Sequence, residues 1–237
     1  MPSCALTNGK CGRIGVPCSS RVCIARTLGR LHDKRWRDKL GLFFVEGEDA
    51  VEAAVAEPVD LLRAGEDVEP RLLAEVASAP HPPRVVGVYR QADLPGWEER
   101  DATLALWHLA DPGNVGTLIR TADAFGAAVV LSDGCADPTS PKALRASAGS
   151  IWRVPLGAWA CVESTQTRVA LEAHGGRPLG DVELAGRVAY LLGSERGGLP
   201  AEVARDVTAT IPISGAESLN VAATGAIALY ELARRRA

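Results

Sequence analysis

"TLALWHLADPGNVGTLIRTADAFG" (Thr103 to Gly126) joins three kinds of local order in 24 residues. Thr103 to Ala110 is a nearly unbroken apolar run, which reads as a strand buried on both faces. Asp111 to Gly116, "DPGNVG", is a turn. The helix that follows sets Val115, Leu118, Ala122 and Phe125 on one stripe and stops at Gly126. A buried strand, a glycine-bearing turn and an amphipathic helix make the repeating unit of a parallel sheet with helices on its faces.

The unit recurs downstream. "AAVVLSD" and "RVAYLLG" (Arg187 to Gly193) read as strands, and "SPKALRASAGS" as a short helix opened near Pro141. "CVESTQTRVALEAHGG" reads as a helix closed by Gly175 and "PAEVARDV" as another. "TATIPI" is a strand, and a last helix follows it. Upstream, a basic helical run (Leu31 to Leu40) leads into the strand "LFFVEG" and the helix "EDAVEAAVA". The strands "VDLLRAG" and "RVVGVYR" flank the helix "EPRLLAEVAS". This βαβ-like alternation breaks at the polar stretch Gln91 to Asp101, which carries Pro95 and Gly96, so a domain boundary is expected there.

With 237 residues, 47% apolar and 23% charged, the chain has ordinary globular composition. No run approaches the about 18 apolar residues of a membrane span, and no secretion signal is visible. The net charge of −3 conceals an asymmetry: residues 1–40 carry a net +7, residues 41–100 a net −8 and residues 101–237 a net −2. The basic leading segment suits a polyanion and equally suits a solvated arm. Cys4, Cys11, Cys18 and Cys23 crowd the N-terminus, with Cys135 and Cys161 further on. Their spacing is not that of paired zinc ligands, so no metal site is expected and a cytoplasmic protein with reduced thiols is. Residues 1–25 read as a disordered leader or as the product of a misassigned start.

Sheets of this kind bind ligands at the loops leaving the carboxyl ends of their strands. Three such loops are rich in glycine and polar residues: "DPGNVG", "GSERGGLP" and "SGAESLN". Asn114 suits a helix cap. Gly116 and Arg120 are four residues apart and share a helix face, so the glycine clears space before a guanidinium suited to phosphate. A plain surface ion pair is the competing reading of Arg120. The loop at Glu195 matches neither the dinucleotide fingerprint nor the phosphate loop. In the third loop Gly215 permits an unusual turn, Ser218 suits the cap of the last helix, and Asn220 falls just inside it. Ala222, Ala223, Gly225, Ala226 and Ala228 make that helix thin, as close packing requires.

Taken together the three loops resemble the signature motifs of the SpoU family, the TrmH-like RNA ribose 2′-O-methyltransferases of the SPOUT superfamily. The motifs are "DPGNVGTLIRTADAFGA" (Asp111 to Ala127), "LLGSERGGLP" (Leu191 to Pro200) and "IPISGAESLNVAATGAIALYE" (Ile211 to Glu231), with "SPKALRASAGSIWRVPL" between the first two. Ile213 stands where methionine is common and Ala222 where serine is common. The likeness covers residues 101–237. "LHDKRWRDKLGLFFVEGEDAVEAAV" is similar to the small L30e-like RNA-binding domain that precedes the catalytic domain in many members.

The resemblance implies an α/β fold: a SPOUT methyltransferase domain over 101–237 with a parallel sheet and a C-terminal trefoil knot, preceded by an L30e-like α/β substrate-binding domain over 26–95. It implies a homodimer that transfers a methyl group from S-adenosyl-L-methionine (AdoMet) to a ribose 2′-hydroxyl of RNA, with ribosomal RNA favoured over tRNA. A catalytically silent RNA-binding module on the same fold is the alternative. Gly193, Ile211, Ile213 and Leu219 would hold AdoMet, and Asn114, Arg120, Glu195, Ser218 and Asn220 would form the catalytic constellation. Arg120 would reach cofactor bound in the other subunit. A guanidinium with its pKa above about 12 has no acceptor to offer, so Arg120 is expected to grip phosphate and stabilise developing alkoxide character rather than act as a base. Lys34, Arg35, Arg37 and Lys39 in the basic run, with Lys142 and Arg145 near the site, are the expected RNA contacts.

Overall fold

The computed structural model describes residues 6–7, 10–11, 28–78, 81–162 and 167–237. The expected leader over 1–25 therefore lies outside the described residues, apart from an antiparallel pairing of Leu6–Thr7 (β1) with Lys10–Cys11 (β2). The chain divides into two compact units that do not follow its linear order. One holds the residues up to Leu94 together with Thr139–Trp152; the other holds Pro95–Pro138 and Arg153–Ala237.

In the first unit Asp33 caps helix α1 (Lys34–Leu40) by accepting from the Arg35 amide at 2.9 Å, and Gly41 ends it at φ 62°. The chain then enters β3 (Leu42–Glu46) and the one-turn α2 (Glu48–Glu52). β4 (Asp60–Arg63), α3 (Pro70–Val76) and β5 (Val85–Arg90) complete the unit. β5 lies between β3 and β4 and is antiparallel to both. Leu28, Leu31, Phe44, Leu62, Leu73, Val86 and Val88 form its core.

Helix α5 (Pro141–Ser147), capped by Ser140, was expected inside the 101–237 domain, yet it packs with this first unit. The cause is specific. Arg145 pairs with the nearly buried Glu46 at 3.1 Å and bonds Ser78. Trp152 is 3% exposed, sets its edge on Tyr89 with ring centroids 4.9 Å apart, and lies 5.5 Å from Phe43.

The second unit is built on a parallel sheet of seven strands. These are β6 (Ala102–Leu106), β7 (Ala128–Leu131), β8 (Leu156–Ala158), β9 (Thr167–Leu171), β10 (Arg177–Pro178), β11 (Val188–Leu192) and β12 (Val207–Thr210). Their order is β10-β12-β9-β11-β6-β7-β8, and every pairing is parallel. β6 and β11 are buried along their whole length, as the unbroken apolar runs require. Helix α4 (Pro112–Ala124) starts with proline at its first position and packs against α6 (Val221–Arg236). Gly225 is the contact that lets them meet: a Cβ there would stand 2.4 Å from Leu118 Cδ2. The thinness of the last helix thus serves packing on a leucine side chain.

Two expected helices are absent. Within "CVESTQTRVALEAHGG" Thr167–Leu171 form β9, hydrogen-bonded to β11 on one side and β12 on the other, and none of the other described residues is α-helical. Burial of Val169, Ala170 and Leu171 outweighs the helix propensity of Ala-Leu-Glu-Ala. "PAEVARDV" runs as turns, because the Arg205 guanidinium takes the Pro200 and Val203 carbonyls that a helix would have used itself. Phe125, placed on the buried stripe of α4 by its spacing, is the C-cap residue and is 38% exposed.

Candidate active site

Three loops leave the carboxyl ends of β6, β11 and β12, as their sequence suggested. The first turns into α4. Asp111 rather than Asn114 is the cap: its carboxylate accepts from the Asn114 amide at 3.0 Å. Asn114 is thereby placed in the first turn with its side chain free to face outward. The second loop begins at Gly193. A Cβ at that position would stand 2.3 Å from the Gly198 carbonyl carbon and 2.5 Å from the Leu199 nitrogen, so only glycine fits. Ser194 and Gly198 exchange backbone hydrogen bonds of 3.1 and 3.0 Å, with Gly198 at φ 63°. That closed turn presents Glu195 at its tip. The third loop runs from Ile211 to Asn220, with Gly215 at φ 89°. Asn220, not Ser218, caps α6, its Oδ1 accepting from the Ala222 amide at 2.8 Å.

Around the second and third loops lies a cavity of about 540 Å³. Leu192, Gly193, Leu199, Ile211, Ile213 and Leu219 give it an apolar lining, and Ser194, Glu195, Ser218, Asn220 and Thr224 its polar edge. Leu171 to His174, at the end of β9, form a further wall. The sequence reading missed that wall because it took β9 for a helix. The apolar run ending in Gly175-Gly176 was the signal that could have exposed it.

Three of the expected catalytic side chains meet across long sequence distances. Asn114 Nδ2 donates to Glu195 Oε1 at 3.0 Å, and Asn220 Nδ2 donates to Asn114 Oδ1 at 3.2 Å. Ser218 lines the cavity without joining this chain of bonds. Arg120 stands exposed on α4 and is not among the lining residues; Gly116 is buried, so the two do not share an environment. The charges that pairing or burial perturbs lie elsewhere: burial pushes the Tyr190 hydroxyl up to about 12, and hydrogen bonds from Arg168 lower Asp206.

The expected RNA contacts all fall in the first unit, Lys142 and Arg145 included. Arg37 does not qualify. It is 2% exposed and its guanidinium donates to the Leu31 and His32 carbonyls at 2.7 and 2.8 Å, holding the start of the unit together. Arg145 is engaged with Glu46 and Ser78. Lys34, Arg35 and Lys142 are all exposed, Lys34 pairing with Asp38 at 2.9 Å. Lys39 and Arg30 both lie over the Trp36 ring, at 4.8 and 4.6 Å from its centroid, which makes a cationic and aromatic surface on α1.

Comparison with known proteins agrees with this geometry. The SpoU rRNA Methylase family matches residues 101–230. The chain is 32% identical over 236 residues to the 23S rRNA (guanosine(2553)-2′-O)-methyltransferase RlmP of Bacillus subtilis, covering 86% of this chain and 93% of that protein. It is 31% identical over 189 residues to the 23S rRNA (uridine(2479)-2′-O)-methyltransferase of Streptomyces viridochromogenes, covering 70% and 66%. Among solved structures, an AdoMet-bound rRNA methyltransferase from Sinorhizobium meliloti superposes with a TM-score of 0.79 at 28% identity, covering 92% of this chain and 97% of the other. The AdoMet complex of the SpoU methyltransferase AviRb from Streptomyces viridochromogenes gives 0.79 at 26%, covering 90% and 97%.

Proposed function

The chain belongs to the SpoU rRNA Methylase family, and we propose that it methylates a ribose 2′-hydroxyl of ribosomal RNA with AdoMet as methyl donor. The observation that carries this reading is the cavity at the strand ends, edged by Glu195 and Asn220, which Asn114 joins by hydrogen bonds. Its residues fit AdoMet. About 540 Å³ is within the range of small-molecule pockets. The apolar side chains of Leu192, Leu199, Ile211 and Leu219 suit an adenine ring, with Ile213 beside them. Gly193 lines the cavity without a side chain to obstruct it. Bound there, AdoMet supplies an electrophilic methyl group on a sulfonium.

The chain's own residues have the complementary tasks. Asn114, Glu195, Ser218 and Asn220 orient the ribose. Arg120, exposed one helical turn and more beyond Asn114, grips the neighbouring phosphate and stabilises charge developing on the 2′-oxygen. In a homodimer it would do so for the partner's site. Exposed apolar side chains on α6, Ile227 and Tyr230, with Phe125 on α4, support that assembly. The close approach of α6 to α4 at Gly225 supports the C-terminal trefoil knot that the resemblance implies. Residues 26–95 are proposed to be the L30e-like RNA-binding domain, through Lys34, Arg35 and Lys39, with Lys142 added by the segment Thr139–Trp152 of the same unit. Among the described residues no helix is long and apolar enough to cross a membrane, and the unpaired Cys135 and Cys161 accord with a reducing cytoplasm.

The direct test is transfer of tritium from methyl-labelled AdoMet into 23S rRNA and into tRNA in parallel, with the product mapped by 2′-O-methyl-sensitive sequencing. Label at one rRNA ribose position is expected; label in tRNA alone would reassign the substrate, and none in either would leave the catalytically silent RNA-binding module.

A further inference from the structure

We propose that Asn220, Asn114 and Glu195 form a hydrogen-bonded relay of fixed direction, which holds one oxygen of the Glu195 carboxylate and leaves the other to accept the hydrogen bond of the substrate's ribose hydroxyl. The inference rests on the methyltransferase reading above and assigns the donor and acceptor roles inside that site.

The direction is set at both ends. The Ala222 backbone N–H can only donate, so the atom of Asn220 that meets it at 2.8 Å is the side-chain oxygen. The Asn220 amide nitrogen must then point the other way, to Asn114 at 3.2 Å, and Asn114 must offer its oxygen there. That turns the Asn114 nitrogen to Glu195 Oε1 at 3.0 Å. An ionised carboxylate can only accept, so the far end agrees with the near end. Every link donates toward Glu195, and the amide dipoles add to the positive end of the 16-residue helix α6. Among the described residues Glu195 Oε2 has no hydrogen-bond partner, and Glu195 lines the cavity. Asn114 and Asn220 are therefore positioning residues, and Glu195 is the group that meets the ribose.

A relay with direction can be reversed, which yields a test that ordinary loss-of-contact variants lack. Glu195→Gln keeps the relay, because the glutamine carbonyl accepts from Asn114, but turns an N–H toward the ribose. Asn220→Asp keeps the α6 cap but places an acceptor against Asn114 Oδ1. Asn114 must flip, and its oxygen then faces the Glu195 carboxylate. Combining the two closes the chain in the opposite sense: Asn114 donates to residue 220, the glutamine N–H donates to Asn114, and a carbonyl oxygen again faces the ribose.

The measurements are methyl transfer to the rRNA substrate under single-turnover conditions, AdoMet affinity by calorimetry, and the melting temperature of the AdoMet-free protein. Each single variant is expected to slow transfer by about 100-fold. Asn220→Asp should also lower the melting temperature, and Glu195→Gln should not. The double variant should regain the lost melting temperature and transfer about tenfold faster than either single one. Losses that simply add in the double variant, with AdoMet affinity intact in all three, overturn the relay. So does a melting temperature that Asn220→Asp leaves unchanged. Should Asn220→Asp fail to fold, Asn220→Ser retains a capping oxygen yet cannot reach Asn114, and must show the same slowed transfer. A wild-type protein that binds AdoMet but methylates no rRNA would refute the functional reading instead, while the melting-temperature pattern would still report on the relay.

Discussion

The parallel strands of the second unit carry a cavity at each end, nearly equal in size and opposite in character. The one at the carboxyl ends, about 540 Å³, is walled by glycines, aliphatic side chains and polar groups that include Glu195 and Asn220, the two that Asn114 joins. The one at the amino ends, about 510 Å³, is walled by charges: Glu98, Glu99, Arg100, Asp101, Arg187 and Arg236. Those charges are largely spent on one another. Arg187 pairs with Glu99, Arg100 with Glu98 at 2.8 Å, and Arg236 donates to the Gly186 carbonyl. Helix α6 runs from one to the other, beginning with Asn220 at the first and reaching Leu229, Leu232 and Arg236 at the second. A cavity alone does not mark a site; the charged one also holds a buried Arg100 Nε without a partner among the described residues, and what distinguishes the first is its apolar wall beside a few converging polar groups.

The sharpest way to separate the two ends is to remove the proposed phosphate grip. Arg120→Ala should slow methyl transfer by about 1,000-fold while AdoMet affinity stays as in the wild type; turnover near the wild-type rate would remove Arg120 from the site. Next in size, Gly193→Ala forces a methyl group onto the Gly198 carbonyl carbon, 2.3 Å away. AdoMet affinity should fall steeply, and stability by about 1–3 kcal/mol from overpacking. Calorimetric binding equal to wild type would show that the loop yields. Gly225→Val, in the second turn of α6, crowds Leu118 and should cost a similar about 1–3 kcal/mol in denaturant unfolding, yet leave AdoMet affinity intact once folded. A loss of affinity larger than the loss of stability would mean that the helix transmits strain to the site.

The smallest effect is expected at the charged end. Hydrogen bonds from Arg234 and Arg235 lower Glu231 to about 2. Its folded value is below its unfolded one, so its contribution is present above the ordinary carboxylate range and vanishes as pH falls toward about 2. Unfolding curves of the wild type and Glu231→Gln should differ slightly at pH 6 and converge at low pH, with methyl transfer at pH 7 the same in both. A gap that widened on acidification would contradict the assignment.

The parallel sheet was legible because β6 and β11 are buried on both faces and so are written as apolar runs. The strand β9 was not. Its residues have helical propensity, and what decides their state is the pair of neighbouring strands, which no local window contains. Caps were legible in kind and not in position: Asp111 and Asn114, or Ser218 and Asn220, are all competent oxygens, and only the backbone path chooses between them. Arg37 shows the limit of reading charge. Within "KRWRDK" it has the company of solvated residues, but its helical register turns it inward onto two carbonyls. The site residues were named through motif likeness, whereas the bonds joining Asn114 to Glu195 and Asn220 span 81 and 106 positions and belong to the fold.

The chain passes between its two units three times, at Leu94–Pro95, Pro138–Thr139 and Trp152–Arg153. This has a consequence for how the protein is made and how its parts can be exchanged. During synthesis the first unit lacks Trp152 and the Arg145–Glu46 tie until β6, α4 and β7 have already emerged. At roughly 5–20 residues per second that is a delay of some seconds. A cut at the polar stretch after Arg90 would strand Thr139–Trp152 of the first unit on the fragment that carries the second, so recombination at that single junction could move neither the first unit whole nor the second alone.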